Sequence, residues 1–201
     1  MIKHFSRLQP FVLATASLLL AVPAAHAVPI TYIASLSGAN ENPANASLGT
    51  GSAAVILDTD ADTLNIQVTF SGLTGTTTAA HIHCCVAPPG NVGVATQTPT
   101  FTGFPLGVTS GTYNNSFNTA LATTFNTTFI NNNGGTVAGA EDALAAGLNA
   151  GTAYLNIHTT AFPGGEIRGF LQAVPEPESF ALMGIGFAGM AMVARRRKVG
   201  K

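Results

Sequence analysis

The sequence has no tryptophan, two cysteines and few ions: 8% of its 201 residues are Asp, Glu, Lys or Arg. The shortage is uneven. Between positions 28 and 174 the only basic residue is Arg168, set against Glu41, Asp58, Asp60, Asp62, Glu141, Asp142 and Glu166, a formal charge of −6. Phosphate-backbone binding needs clustered Lys and Arg, so nucleic acid is excluded as a partner. The two cysteines are adjacent and lack the C-x-x-C spacing of a zinc finger or a redox motif. No serine stands in a G-x-S-x-G elbow and no Gly-rich phosphate loop carries a lysine. The chain therefore reads as a non-enzyme. Disorder is excluded too, because several strongly periodic apolar segments remain.

The positive charge lies at the two ends. Lys3 and Arg7 precede an apolar run over 11–22 and the small-residue exit Ala25-His26-Ala27. That order is a secretory signal peptide over residues 1–27, cut after Ala27. At the other end Val174-Pro175-Glu176-Pro177-Glu178 leads into an apolar stretch, 179–194, and then Arg195-Arg196-Arg197-Lys198. As a helix the stretch spans about 24 Å, close to the roughly 30 Å hydrocarbon core, and the basic cluster stays cytoplasmic. This tail, 174–201, resembles a PEP-CTERM sorting signal, carried by Pro175, Glu176, Pro177, Arg195, Arg196 and Arg197. The resemblance implies a Gram-negative bacterium, use of the export machinery, a transient inner-membrane anchor and processing by an exosortase. Delivery to the cell surface or extracellular matrix follows, with exopolysaccharide as a partner.

The domain between, 28–173, reads as strands. Residues 63–70 alternate Leu64, Ile66, Val68 and Phe70 against Asn65, Gln67 and Thr69, a period of two. Further strands are expected at 30–36, 49–57, 79–84, 152–159 and 166–171, with Gly and Pro turns between them. A long insertion, 86–133, carries Phe101, Phe104, Tyr113, Phe117, Phe125 and Phe129, and is expected to pack against the domain. Ala-rich 138–148, with Glu141 and Asp142 in its first turn and Gly151 beyond, predicts one short helix. The fold class is all-β, an antiparallel sandwich or barrel of the immunoglobulin-like or superoxide-dismutase-like kind.

Strand alternation places the rare residues. His81 and His83 share one face of their strand with Ile82 opposite; Asn156 and His158 oppose Leu155 and Ile157; Glu166 and Arg168 oppose Ile167. If the strands are neighbours, one polar face holds all three histidines of the domain together with Glu166 and Arg168. H-x-H on a strand suits a metal, and a third imidazole completes the three-nitrogen set of open zinc sites, compatible also with copper. Glu166 is then a fourth ligand or an acceptor that orients an imidazole. The alternative is a hydrogen-bonded ladder in which Arg168 pairs with Glu166 and the histidines satisfy backbone or Asn156. Arg168 and Asn156 are also candidate ligand-binding residues. Cys84-Cys85 reads as a vicinal disulfide or a pair of free thiols, with soft copper ligation or an interchain bond as other readings.

Taken together, 31–172 resembles the CHRD domain. The match rests on Ala34-Ser35-Leu36-Ser37-Gly38-Ala39-Asn40-Glu41-Asn42-Pro43, Gly49-Thr50-Gly51 and Thr69-Phe70-Ser71-Gly72-Leu73. It continues in Ala80-His81-Ile82-His83 and in Ala153-Tyr154-Leu155-Asn156-Ile157-His158-Thr159 through Gly164-Gly165-Glu166-Ile167-Arg168-Gly169. Cys84-Cys85 and the long insertion depart from the minimal pattern. The resemblance implies a compact β-rich extracellular domain with no established enzymatic activity. Two strand histidines in an exported sandwich are also similar to copper–zinc superoxide dismutase, by analogy of fold and H-x-H alone. The expected function is a structural or binding component of the envelope or exopolysaccharide matrix. The alternative is a copper- or zinc-binding extracellular protein.

Overall fold

The computed structural model describes residues 28–175. The expected signal peptide, 1–27, and the sorting segment from Glu176 onward, with the expected membrane helix 179–194 and Arg195, Arg196 and Arg197, lie outside the described residues. Among the described residues no helix is long and apolar enough to cross a membrane.

Eight strands arise where the alternation is strongest: β1 (Ile30–Ser37), β2 (Thr50–Asp58), β3 (Thr63–Ser71), β4 (Thr77–His83), β5 (Gly111–Asn118), β6 (Tyr154–Thr159), β7 (Ile167–Phe170) and β8 (Gln172–Ala173). In β3 the alternation is complete, Leu64, Ile66, Val68 and Phe70 being buried while their neighbours are not. The β2–β3 turn is closed by Asp58, whose carboxylate accepts from Asp60 and Ala61 N–H, each at 3.0 Å.

The domain is mostly β and antiparallel, as expected, but it forms a half-barrel where a sandwich or barrel was expected. All the strands lie in one antiparallel sheet, curled into a half-barrel, in the order β4-β6-β7-β1-β2-β3-β5, with β8 on β1. No second sheet is needed because the long insertion and the helices cover the apolar face. Phe101, Phe104, Phe125 and Phe129 join Leu144 and Leu148 in one buried cluster with Ile66, Ile82, Leu155, Ile157 and Ile167. Each large side chain so buried contributes about 1.5–3 kcal/mol, which is how a single sheet acquires a core. The same segment covers the free edge of β4: Ala95 N–H donates to Ile82 O at 2.9 Å, Phe101 N–H to Ala80 O at 3.2 Å and Gly107 N–H to Thr77 O at 2.9 Å.

The insertion also holds β5, which pairs along β3 from Thr63↔Asn118 to Phe70↔Gly111. Among the described residues there are two α-helices where one was expected, α1 (Thr127–Asn132), capped by Asn126, and α2 (Val137–Asn149), capped by Thr136, whose hydroxyl accepts from Gly139 N–H at 3.1 Å. Because α2 begins at Val137, Glu141 and Asp142 fall beyond its first turn. Glu141 instead accepts a hydrogen bond from Thr119.

Candidate metal centre

Strand pairing builds the site. Ala80 and Ile82 of β4 are fully buried with Leu155 and Ile157 of β6, which turns His81 and His83 to the other face of the sheet. The β4–β6 register sets His81 opposite Asn156 and Ala79 opposite His158, and the β6–β7 register sets Asn156 opposite Arg168. Three histidines thereby meet, one ring nitrogen of each within 4.8 Å of the other two. His81 and His83 are buried, and His158 is half-buried. The rings meet edge to face, His81 with its centroid 5.3 Å from His158 and 5.9 Å from His83.

Each imidazole has one nitrogen tied to a backbone carbonyl. His81 Nε2 is 2.6 Å from Pro99 O, His83 Nδ1 is 2.8 Å from Val92 O and His158 Nδ1 is 2.9 Å from Pro163 O. A carbonyl only accepts, so these nitrogens carry the hydrogens and the others carry lone pairs. The three left over, His81 Nδ1, His83 Nε2 and His158 Nε2, are buried and have no hydrogen-bond partner. Burial without a partner costs about 1–3 kcal/mol per group, so a ladder built for stability alone would not leave three such atoms together. Desolvation holds all three histidines below the usual imidazole range, His83 at about 4, against the opposing effect of each carbonyl contact. At neutral pH they are neutral, the form that ligates a metal. The donor set fits a transition-metal ion, because each ring offers one nitrogen within 4.8 Å of the others and each ring is already held by a fixed carbonyl.

Tyr154 and Arg168 buttress this arrangement. The Tyr154 ring lies parallel to His83 at 4.8 Å, and its hydroxyl is 3.3 Å from Val92 O, the carbonyl that holds His83. The guanidinium of Arg168 stands 4.7 Å from the centroid of the Tyr154 ring. It is 1% exposed and donates to Asn40 O, Pro89 O, Gly90 O and Asn91 Oδ1 at 2.6, 2.8, 3.3 and 2.6 Å. Arg168 thus stitches the loop just before Val92 onto the sheet. Its acidic neighbour is Glu41, at 3.7 Å, and not Glu166 as the ladder reading expects. Desolvation raises the Glu41 carboxyl to about 7 against the pull of Arg168. Asn156 is buried between His81 and Arg168 and makes no hydrogen bond to the histidines; its Oδ1 has no partner, like Glu41 Oε1.

Glu166 departs from the expected ligand set. Gly165, at φ +133°, breaks the alternation and turns the carboxylate away from the histidines. Oε1 accepts from Ser47 and Thr74 N–H, and Oε2 from Gly75 N–H and Thr159 at 3.1 and 2.6 Å. Burial alone would raise the Glu166 carboxyl, but these four donors hold it below the usual range. A depressed carboxyl stabilises the fold above its unfolded value, about 4.3, and that contribution is lost as pH falls through the folded one. Glu166→Gln is therefore expected to lower stability at pH 7 by about 1.5–3 kcal/mol and to flatten the loss of stability below about pH 4.3. Urea titrations across that range check both; a variant with the wild-type acid slope contradicts the assignment.

Cys84 and Cys85 are joined to each other by a disulfide at the end of β4. Several contributors carry no signature of their own in the sequence. The carbonyls of Val92, Pro99 and Pro163 are backbone groups, invisible to residue type. Glu41 has a signal, being one of few acids in the domain and part of Gly38-Ala39-Asn40-Glu41-Asn42-Pro43.

The family model of the CHRD domain matches residues 32–171, and that of the PEP-CTERM protein-sorting motif matches residues 173–198. No curated protein and no solved structure matches the chain.

Proposed function

Since the chain belongs to the CHRD-domain family and ends in a PEP-CTERM motif, which directs a protein to an exosortase and the cell surface, we propose that it is a surface-sorted metal-binding protein. In this reading His81, His83 and His158 bind a copper or zinc ion at the envelope or in the exopolysaccharide matrix. The observation that carries it is the set of three buried, partnerless nitrogens whose ring partners are fixed on Pro99, Val92 and Pro163. The bound ion would supply Lewis acidity if zinc, or a redox couple if copper. The chain's own part is to keep the imidazoles neutral and aimed. The reading is of a binding protein and not an enzyme, in keeping with a sequence that lacks a serine elbow or a phosphate loop.

Metal analysis of the exported protein tests it. One equivalent of zinc or copper per chain is expected, lost in both His81→Ala and His158→Ala; a metal-free, equally folded wild type overturns it. Saturating zinc should also raise stability by about 2.7 kcal/mol at a hundredfold excess over the dissociation constant, visible as a higher melting temperature. The sorting half is tested separately. Deleting residues 175–201 is expected to abolish surface delivery, and unchanged delivery contradicts it.

The second reading, a structural component without a ligand, is favoured by Arg168 and Glu166, both buried and fully engaged with backbone and side-chain partners. These residues explain how the two loops are fixed. They do not account for the three partnerless nitrogens.

A further inference from the structure

Cys84 and Cys85 follow His83 directly, where β4 ends and the chain enters the loop that supplies the Val92 and Pro99 carbonyls. Two backbone bonds hold this turn, Cys84 N–H to Gly93 O at 3.4 Å and Val86 N–H to Thr152 O at 2.9 Å. The sulfurs lie against α2, Cys84 Sγ 3.9 Å and Cys85 Sγ 3.5 Å from Ala143 O. Position 147 is glycine, and a Cβ there would collide with both sulfurs. The two sulfurs are therefore pressed against α2 at Gly147, Cys84 buried there and Cys85 open to solvent. Two separate thiols need more room, because atoms no longer bonded must stand apart at van der Waals distance, so one of them must leave its place against α2. Cys84 also lines a pocket of about 280 Å³, together with Val92, Gly93 and Val94 of the loop and Phe129 and Asn132 of α1. The loop has somewhere to move.

We infer that the Cys84–Cys85 disulfide is a redox latch on the histidine site: while it is closed the loop holds the His83 ring for metal, and its reduction loosens the ion. The inference rests on the metal reading above. The reductant is a dithiol. Its thiolate attacks Cys85 Sγ, the exposed partner, and breaks the S–S bond. The second thiol resolves the mixed disulfide, so two electrons and two protons pass to Cys84 and Cys85 and the reductant leaves as its own disulfide. The freed side chains cannot both stay beneath α2. The turn shifts, and Val92 O leaves His83 Nδ1.

Zinc affinity, read by competition with a chromophoric chelator, tests the latch on four samples of the exported protein. They are the oxidised protein, the protein reduced and then freed of reductant under argon, the same sample reoxidised, and the variant Cys84→Ser/Cys85→Ser. Loss of an outer partner of a ligating histidine weakens metal about 10–100-fold, so that drop is expected in the reduced protein and in the double variant. Reoxidation should restore the reduced sample. Reduced protein that binds zinc as tightly as oxidised, or more tightly, overturns the latch while leaving the metal reading standing, and so does a double variant with wild-type circular dichroism and wild-type affinity. If the variant does not fold, the reduced and reoxidised wild type decides. Oxidised protein that binds neither zinc nor, in the same competition, copper overturns both readings.

Discussion

Arg168→Met is expected to be the most damaging single change in the domain, costing about 3–5 kcal/mol of the 5–15 kcal/mol by which domains are usually stable. The guanidinium is buried and is shared among Asn40, Pro89, Gly90 and Asn91, with Glu41 beside it. Removing it leaves three backbone carbonyls, the Asn91 amide oxygen and the Glu41 carboxyl without their partner, and each of these that is kept from water carries its own desolvation cost. Arg168→Lys should recover little, since an ammonium cannot reach acceptors spread around a planar fork. Because the loop held by Arg168 runs straight into Val92, the Met variant should bind metal more weakly as well. Denaturant titration checks the first effect. A variant within about 0.5 kcal/mol of wild type, the range of ordinary surface substitutions, contradicts it.

His83→Leu separates a metal centre from a structural ladder. In the metal-free protein the substitution removes a hydrogen bond to Val92 O and also a partnerless nitrogen, His83 Nε2. A net hydrogen bond is worth about 0.5–1.5 kcal/mol and a buried unpaired group costs about 1–3 kcal/mol, so the two nearly cancel. Little change in metal-free stability is expected, within about 1 kcal/mol. Metal affinity should fall by more than the roughly 100-fold that loss of an outer partner costs. A ladder predicts the reverse: a marked loss of stability with no metal to lose. Measuring both quantities on the same preparation distinguishes them.

Much of the site could be read from residue type because the domain is so poor in ions. With Arg168 its single cation and three histidines in two motifs, alternation puts His81 and His83 on one face and His158 on the polar face of its own strand, and the β4–β6 pairing brings them together. Alternation fails at Glu166, where Gly165 at positive φ rotates the chain between β6 and β7. A period of two says nothing about such a break. The strand pattern likewise located most of the sheet, but not its closure. An apolar face with period two is the same whether a second sheet or a loop covers it, and here Phe101, Phe104, Phe125 and Phe129 of the insertion do so. Strand β5 carries only two large apolar residues, Tyr113 and Phe117, among exposed polar ones, so it resembles a loop in sequence and is recognised by its pairing with β3. The orienting carbonyls of Val92 and Pro99 depend on where the insertion returns to β4, which no local pattern encodes, whereas that of Pro163 lies in the turn that follows β6.

Nitrogen-15 spectra of the histidine side chains, recorded on the exported protein as zinc is added, test the central claim most directly. The account predicts that His81 Nδ1, His83 Nε2 and His158 Nε2 shift together to the range of metal-bound nitrogen at one equivalent, while His81 Nε2, His83 Nδ1 and His158 Nδ1 keep their protons on the carbonyls. Spectra unchanged both by zinc and by copper(I), or ligation through the carbonyl-bonded nitrogens, would contradict it.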